Sequence, residues 1–222
     1  LVGEMRDLET AQIGLRAAIT GHFVLSTLHT NSAVGTISRL VDMGAQGYVI
    51  ATALEAVLAQ RLLRRLCAHC ARPHVPDEHE LAWLAKQPDA SAEAATYQEG
   101  AGCDRCGQSG YQGRLGVYEL LDMNAELAEK LRHDDSQGFV EAAERAPGYQ
   151  PLVMVAHEHA TNGLTSIEEM LRLAGEVDRT RLLFFNSQDV GDEIEAGIAA
   201  PAATSDAGSA RGPTHCLACS CP

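Results

Sequence analysis

Apolar positions recur at more than one period along this chain. In LETAQIGLRAAI, Leu8, Ala11, Leu15 and Ala18 fall at helical spacing, with Asp7 placed as the N-cap. HFVLSTL, residues 22–28, is a short apolar run rich in β-formers and predicts a buried strand. Asn31 is placed to cap a helix carrying Val34, Ile37, Leu40 and Val41, which Gly44 ends. A longer helix is predicted next, because Ile50, Leu54, Val57, Leu58, Arg61 and Leu62 recur at three-to-four spacing. Leu1 and Val2 read as the tail of one more buried strand. Strand, helix, strand, helix predicts an α/β layer with a parallel sheet.

Cys, Gly and Pro punctuate residues 67–116, which include a polar Ala-rich stretch, 82–99, helical at its Trp83 end. Order returns over 117–175. VYELLDM reads as a strand, and helical segments follow as far as LTSIEEMLRLAG, where Thr165 and Glu168 have capping-box spacing. Residues 176–222 lose the pattern, and PAATSDAGSARGPT has the small-residue and Pro/Gly content of a disordered tail.

Composition narrows the function classes. With 45% hydrophobic and 21% charged residues, the 222-residue chain has the balance of a soluble globular protein of one or two domains. No apolar run approaches the roughly 18–20 residues of a membrane span. A net charge of −13 argues against broad nucleic-acid binding, although RLLRRL (61–66) is a local basic cluster. Seven cysteines are too few and too unevenly spaced for a disulfide scaffold. Three of them, Cys216, Cys219 and Cys221, crowd the C-terminal end.

The remaining four form Cys67-x-x-Cys70 and Cys103-x-x-Cys106. Each pair can make a tight loop, and four converging thiolates complete a closed tetrahedral zinc site of structural rather than catalytic type. Gly107, Gly110 and Gly113 permit the turns around the second pair, and His69 and His74 lie nearby without being needed as ligands. Two polar clusters follow apolar strands. In VGEMRD, Glu4 stands where ligands bind at the carboxyl ends of parallel strands, and an acid there can polarise an attacking water; a surface ion pair with Arg6 is the plainer reading of the hexapeptide alone. In LSTLHTN, His29 stands at the next strand end, able to bond a phosphate or simply a backbone carbonyl. If the two strands are neighbours, Glu4 and His29 share one edge. Arg39, Arg61, Arg64 and Arg65 are expected on helices, where any one of them is most simply a solvated side chain.

Taken in order, VGEMRDLETAQIGLRAAITGHFVLSTLHTNSAVGTISRLVDMG, LAQRLLRRLCAHC and GCDRCGQSGYQGRLGVYELL resemble the secretion ATPase family, which includes type II secretion ATPases and type IV pilus assembly ATPases. The resemblance covers about residues 1–175. It implies the C-terminal part of a RecA-like P-loop NTPase domain over 1–66, a tetracysteine zinc subdomain over 67–116 and a mostly helical region over 117–175. VGEMRD then corresponds to the Walker B segment (Gly3, Glu4, Arg6 and Asp7), with Glu4 as the catalytic glutamate, and LSTLHTN to the histidine box, with His29 beside the γ-phosphate. Arg6, Arg39 and Arg61 become possible inter-subunit arginines. The implied ligands are ATP, Mg2+ and Zn2+. The implied setting is a homo-hexamer in the cytoplasm, peripheral to the bacterial inner membrane and docked on a platform protein and a cytoplasmic-domain recruiter.

Retraction-type pilus motors generally lack the cysteine subdomain, which favours secretion or pilus extension. The sequence contains no G-x-x-x-x-G-K-[ST] loop, so this chain alone is expected to be inactive. A reading from another class is a non-enzymatic zinc-stabilised interaction module.

Overall fold

The computed structural model describes residues 1–86, 96–185 and 216–217, with side chains described as far as residue 177. Helix α1 (Leu8–Ile19) starts as expected, Asp7 accepting the Thr10 N–H at 2.8 Å, and buries Ala11, Gly14 and Leu15. The strand expected over 22–28 is only β1 (Ser26–Thr27), and Phe23 is 86% exposed. Its parallel neighbour is the segment at Val2, whose N–H bonds the Leu25 carbonyl at 2.9 Å, while the Met5 N–H bonds that of Thr27 at 3.0 Å. Parallel pairing is confined to this short stretch among the described residues.

Helix α2 (Ala33–Asp42) is capped by Ser32, which accepts the Gly35 N–H at 3.0 Å, and not by Asn31. Gly44, at φ +96°, ends it in the left-handed conformation a helix stop favours. The long helix expected next is α3 (Gly47–Ala53), only seven residues, followed by strand β2 (Ala56–Leu66). The reason is a distant partner: β2 pairs antiparallel with β5 (Tyr111–Asp122), matching Val57 with Leu121, Ala59 with Glu119, Arg61 with Val117 and Leu63 with Leu115. Val57, Ala59, Arg61 and Leu63 alternate inward, the period of a strand, and burial on the ribbon outweighs local helix propensity. Arg61, Arg64 and Arg65 therefore stand on a strand, not on a helix end.

The cysteine segment leaves this ribbon after Leu66, where β2 ends, and re-enters it at Tyr111, so β5 spans the boundary expected at 116. Between the cysteine pairs, β3 (Ala71–His74) pairs antiparallel with β4 (Tyr97–Gly100), flanking α4 (Glu78–Leu84), which contains Trp83. Gly100 packs backbone to backbone on Gly110, where any Cβ would strike the Gly110 carbonyl. Helices α5 (Ala125–Arg132), α6 (Ser136–Glu144), α7 (Leu152–Thr161) and α8 (Ile167–Phe185) follow. Ser166, not Thr165, accepts the Glu169 N–H at 3.3 Å at the start of α8. Thr165 instead donates to the Arg64 carbonyl at 2.8 Å, tying that helix to β2.

Helix α8 carries residues 176–185 of the stretch expected as a tail, and β6 (Cys216–Leu217) pairs with β1. The rest of the expected tail, and 87–95 of the Ala-rich stretch, lie outside the described residues. One buried core joins these parts, from Leu15, Ile37, Leu40 and Ile50 through Leu63, Val117 and Leu121 to Leu127, Leu152 and Met170. Among the described residues no helix is long and apolar enough to cross a membrane.

Candidate functional site

Two extended segments end side by side, and their polar tips meet. The parallel bonds at Val2 and Met5 set the register, and Thr27 Oγ1 adds a 2.8 Å bond to the Gly3 carbonyl. Glu4 and His29 then fall on one edge, with Glu4 Oε1 2.8 Å from His29 Nε2. The other carboxylate oxygen accepts from Arg6 Nε and lies 2.6 Å from Nη2. Glu4 is the most sheltered of the three, its side chain 19% exposed against 53% for His29 and 77% for Arg6. The hydrogen bond from Arg6, with the charges of His29 and Arg6, holds the Glu4 carboxyl below its ordinary range. It is therefore charged near neutrality, able to accept a proton or orient a water.

These residues open on a cavity of about 400 Å³ lined by Glu4, Met5, Arg6, Leu28, His29 and Arg39. Arg39 comes from α2, so of the expected site residues Glu4, Arg6, His29 and Arg39 come together. Gly3 contributes its carbonyl to Thr27, and the Asp7 carboxylate caps α1. Arg61 does not join them. Its side chain is 6% exposed, turned into this chain's own interior, where Nη2 donates to Asn31 Oδ1 at 2.7 Å.

Sequence reasoning missed Glu119, on the inward face of β5 and 1% exposed. Its Oε1 accepts the Ala33 N–H and the Tyr149 O–H, each at 2.8 Å, and Oε2 accepts the Leu152 N–H at 3.2 Å. One carboxylate thus serves the N-termini of α2 and α7. The available signal was its apolar neighbours at alternate positions, Val117 and Leu121, which mark the buried face.

The four cysteines converge at the end of the ribbon. Their sulfurs all lie within 4.8 Å of one another, with Cys67–Cys103 at 3.9 Å, Cys70–Cys106 at 3.8 Å and Cys103–Cys106 at 3.7 Å. Tetrahedral thiolates about 2.3 Å from a zinc ion stand about 3.8 Å apart, so this donor set fits that metal. Burial opposes ionisation of Cys106, but the N–H groups of Cys103 and Gly110, at 3.2 and 3.3 Å from its sulfur, bring its pKa to about 6. Cys70 is pushed up to about 12 by burial and the neighbouring thiols. His69 bonds Arg105 and His74 lies between Glu80 and Glu99, so neither histidine is among the converging donors.

The family described as Type II/IV secretion system protein matches residues 1–172. This chain belongs to that family. It is 41% identical over 177 residues to the type II secretion system protein E of Pseudomonas aeruginosa, covering 79% of this chain and 34% of that protein. It is 38% identical over 173 residues to the type IV pilus assembly ATPase TfpB of Acinetobacter baylyi, covering 78% and 29%. The chain thus spans about a third of the length of these relatives. Among solved structures, the pilus retraction motor PilT with bound ADP aligns at a TM-score of 0.51 and 26% identity, covering 80% of this chain and 40% of that one. The ATPase DotB of Legionella pneumophila aligns at 0.51 and 20%, covering 78% and 37%. The α/β architecture is thus one that secretion and pilus motor ATPases share.

Proposed function

We propose that this chain is the segment of a secretion-family motor that carries the hydrolytic acid and the phosphate-facing histidine, and that the intact motor hydrolyses ATP to assemble a pseudopilus in type II secretion. The observation that carries the reading is the meeting of Glu4 and His29 at 2.8 Å across adjoining strand ends, beside a cavity edged by Arg6 and Arg39. The charged Glu4 accepts a hydrogen bond from water and aims its oxygen at the terminal phosphorus. His29 turns from Glu4 to an oxygen of that phosphoryl group, and the guanidinium groups of Arg6 and Arg39 offset its negative charge. Mg2+, when bound with the nucleotide, neutralises phosphate charge.

In this reading the motor is a hexamer at the inner membrane's cytoplasmic face, docked on a platform protein and its recruiter. The four cysteines hold Zn2+ as a structural staple. Type IV pilus extension is the second reading, supported by the similarity to TfpB.

The test uses the 222-residue chain and a chimera in which residues 1–172 replace the matching part of the Pseudomonas aeruginosa relative. The chain alone is expected to give no turnover, since it contains no G-x-x-x-x-G-K-[ST] loop. The chimera should hydrolyse ATP, and Glu4→Gln should lower its kcat at least about 100-fold while it still retains labelled ATP on a filter. Turnover by the chain alone, or a Glu4→Gln chimera of unchanged kcat, refutes the assignment.

A further inference from the structure

His29 precedes α2 by a loop of three residues, and that loop has no ladder of its own. Groups from three distant elements hold it. From β2, Arg61 Nη2 donates to Asn31 Oδ1 at 2.7 Å. From α8, the Glu176 carbonyl accepts from Asn31 Nδ2 at 3.3 Å, and the Glu176 carboxylate stands 3.8 Å from Arg61 Nε. From β5, Glu119 takes the Ala33 N–H at 2.8 Å, just past the loop. Arg61 and Glu119 project from the same inward face of the ribbon, since Ala59 pairs with Glu119 and Arg61 with Val117. A guanidinium at 6% exposure is costly to bury, and it is unusual among inward positions otherwise filled by Val57, Ala59 and Leu63.

We propose that Arg61, acting through Asn31, is a positioning residue for His29. Its bond to Asn31 fixes the side chain two residues beyond the imidazole, and Glu119 fixes the backbone two residues further on. Between them they hold the chain just beyond His29, whose ring stands 2.8 Å from Glu4. This rests on the reading that His29 faces the terminal phosphate only for its kinetic consequence; the geometric part stands without it. A residue with this role gives the motor a link from α8, through Glu176 and Arg61, to the hydrolytic edge.

The first measurement is made on the 222-residue chain and needs no hydrolysis. Glu4→Gln should shift the His29 ring resonances in heteronuclear NMR, because the two groups touch. In an Asn31→Ala background that shift should fall by at least about half, as expected when one contact holds another in place. Arg61→Met should do the same and Arg61→Lys should restore part of it, with fold checked by circular dichroism and the amide spectrum. Asn31 is half-buried and engaged through its side chain, so Asn31→Ala decides the matter if an Arg61 variant fails to fold. An undiminished His29 response in folded Asn31→Ala overturns the proposal.

In the chimera, Asn31→Ala should lower kcat about 10- to 100-fold, the range associated with a misplaced group, and leave KM for ATP within about twofold. Unchanged kcat together with an undiminished His29 response overturns the proposal; unchanged kcat with a diminished response refutes instead the place of His29 at the phosphate. A chimera that hydrolyses nothing in any form refutes the proposed function and leaves the NMR result to stand or fall by itself.

Discussion

Replacing Glu119 tests how much one buried carboxylate contributes to joining the two halves of the core. Glu119→Gln keeps the shape and one oxygen. With the amide oxygen at the Oε1 position, the bonds from Ala33 and Tyr149 survive, while the amide nitrogen confronts the Leu152 N–H and orphans it. One buried donor without a partner costs about 1–3 kcal/mol. Glu119→Leu strands all three donors but no longer buries a polar group, so it should cost more, about 3–5 kcal/mol. Urea unfolding of the chain at neutral pH, followed by far-UV circular dichroism, reads both values from the shift in midpoint at constant slope.

The pH dependence has a definite sign. Burial, opposed by the donors Tyr149, Ala33 and Leu152, raises the Glu119 pKa above 4.5. The native state therefore holds this proton more tightly than the unfolded state. The group's favourable contribution is full below the unfolded value and is lost as pH rises through the folded one. Glutamine does not ionise, so the stability gap between parent and Glu119→Gln should narrow as pH rises through that window. A gap that widens, a Gln cost under about 0.5 kcal/mol, or a Leu variant more stable than Gln would refute the bonding scheme.

Three further outcomes follow from the structure. Purified chain should carry one zinc per molecule by elemental analysis; less than about half an equivalent, with Cys67, Cys70, Cys103 and Cys106 freely titratable, would count against the site. Cys106→Ser should expose the 67–116 segment to limited proteolysis while the far-UV spectrum of the rest is kept. Glu169 is fully buried and receives the Arg64 backbone and guanidinium, at 2.8 and 2.7 Å, and Arg172 at 3.2 Å. Burial alone would raise its pKa, but those two arginines pull it below 4.5, so its stabilising contribution is present above that value and lost as pH falls through the folded one. Glu169→Gln should cost about 2–3 kcal/mol at pH 7 and flatten the acid limb of the stability curve; an unaltered acid limb would refute this.

What was legible in the sequence was local. The cysteine pairs, the polar strand tips at Glu4 and His29, and the Asp7 cap each declare themselves within a few residues, and the structure brings the four sulfurs together, sets Glu4 against His29 and has Asp7 cap α1. Two other helix starts were legible only to within one residue: Asn31 and Thr165 have capping chemistry, but Ser32 and Ser166 take the caps because the chain turns one step later. Freed from capping, Asn31 and Thr165 make long-range bonds to β2 instead. The expected strand at 22–28 shrank because its described pairing is confined to Ser26 and Thr27.

The residues 56–66 show why the rest was hidden. Val57, Leu58, Arg61 and Leu62 satisfy a helix, while Val57, Ala59, Arg61 and Leu63 satisfy a strand, and Ala, Leu, Gln and Arg favour the helix locally. Only the ladder with residues 111–122, far along the chain, decides between them. The choice of period changes chemistry as well as shape. On a helix end, Arg61 would be a solvated cation available to a neighbouring subunit. On β2 it is an inward guanidinium bonded to Asn31, two residues beyond His29. Glu119 was hidden for the same reason: in VYELL its carboxylate looks like a surface charge until the pairing register turns it inward, between the starts of two helices that need an acceptor.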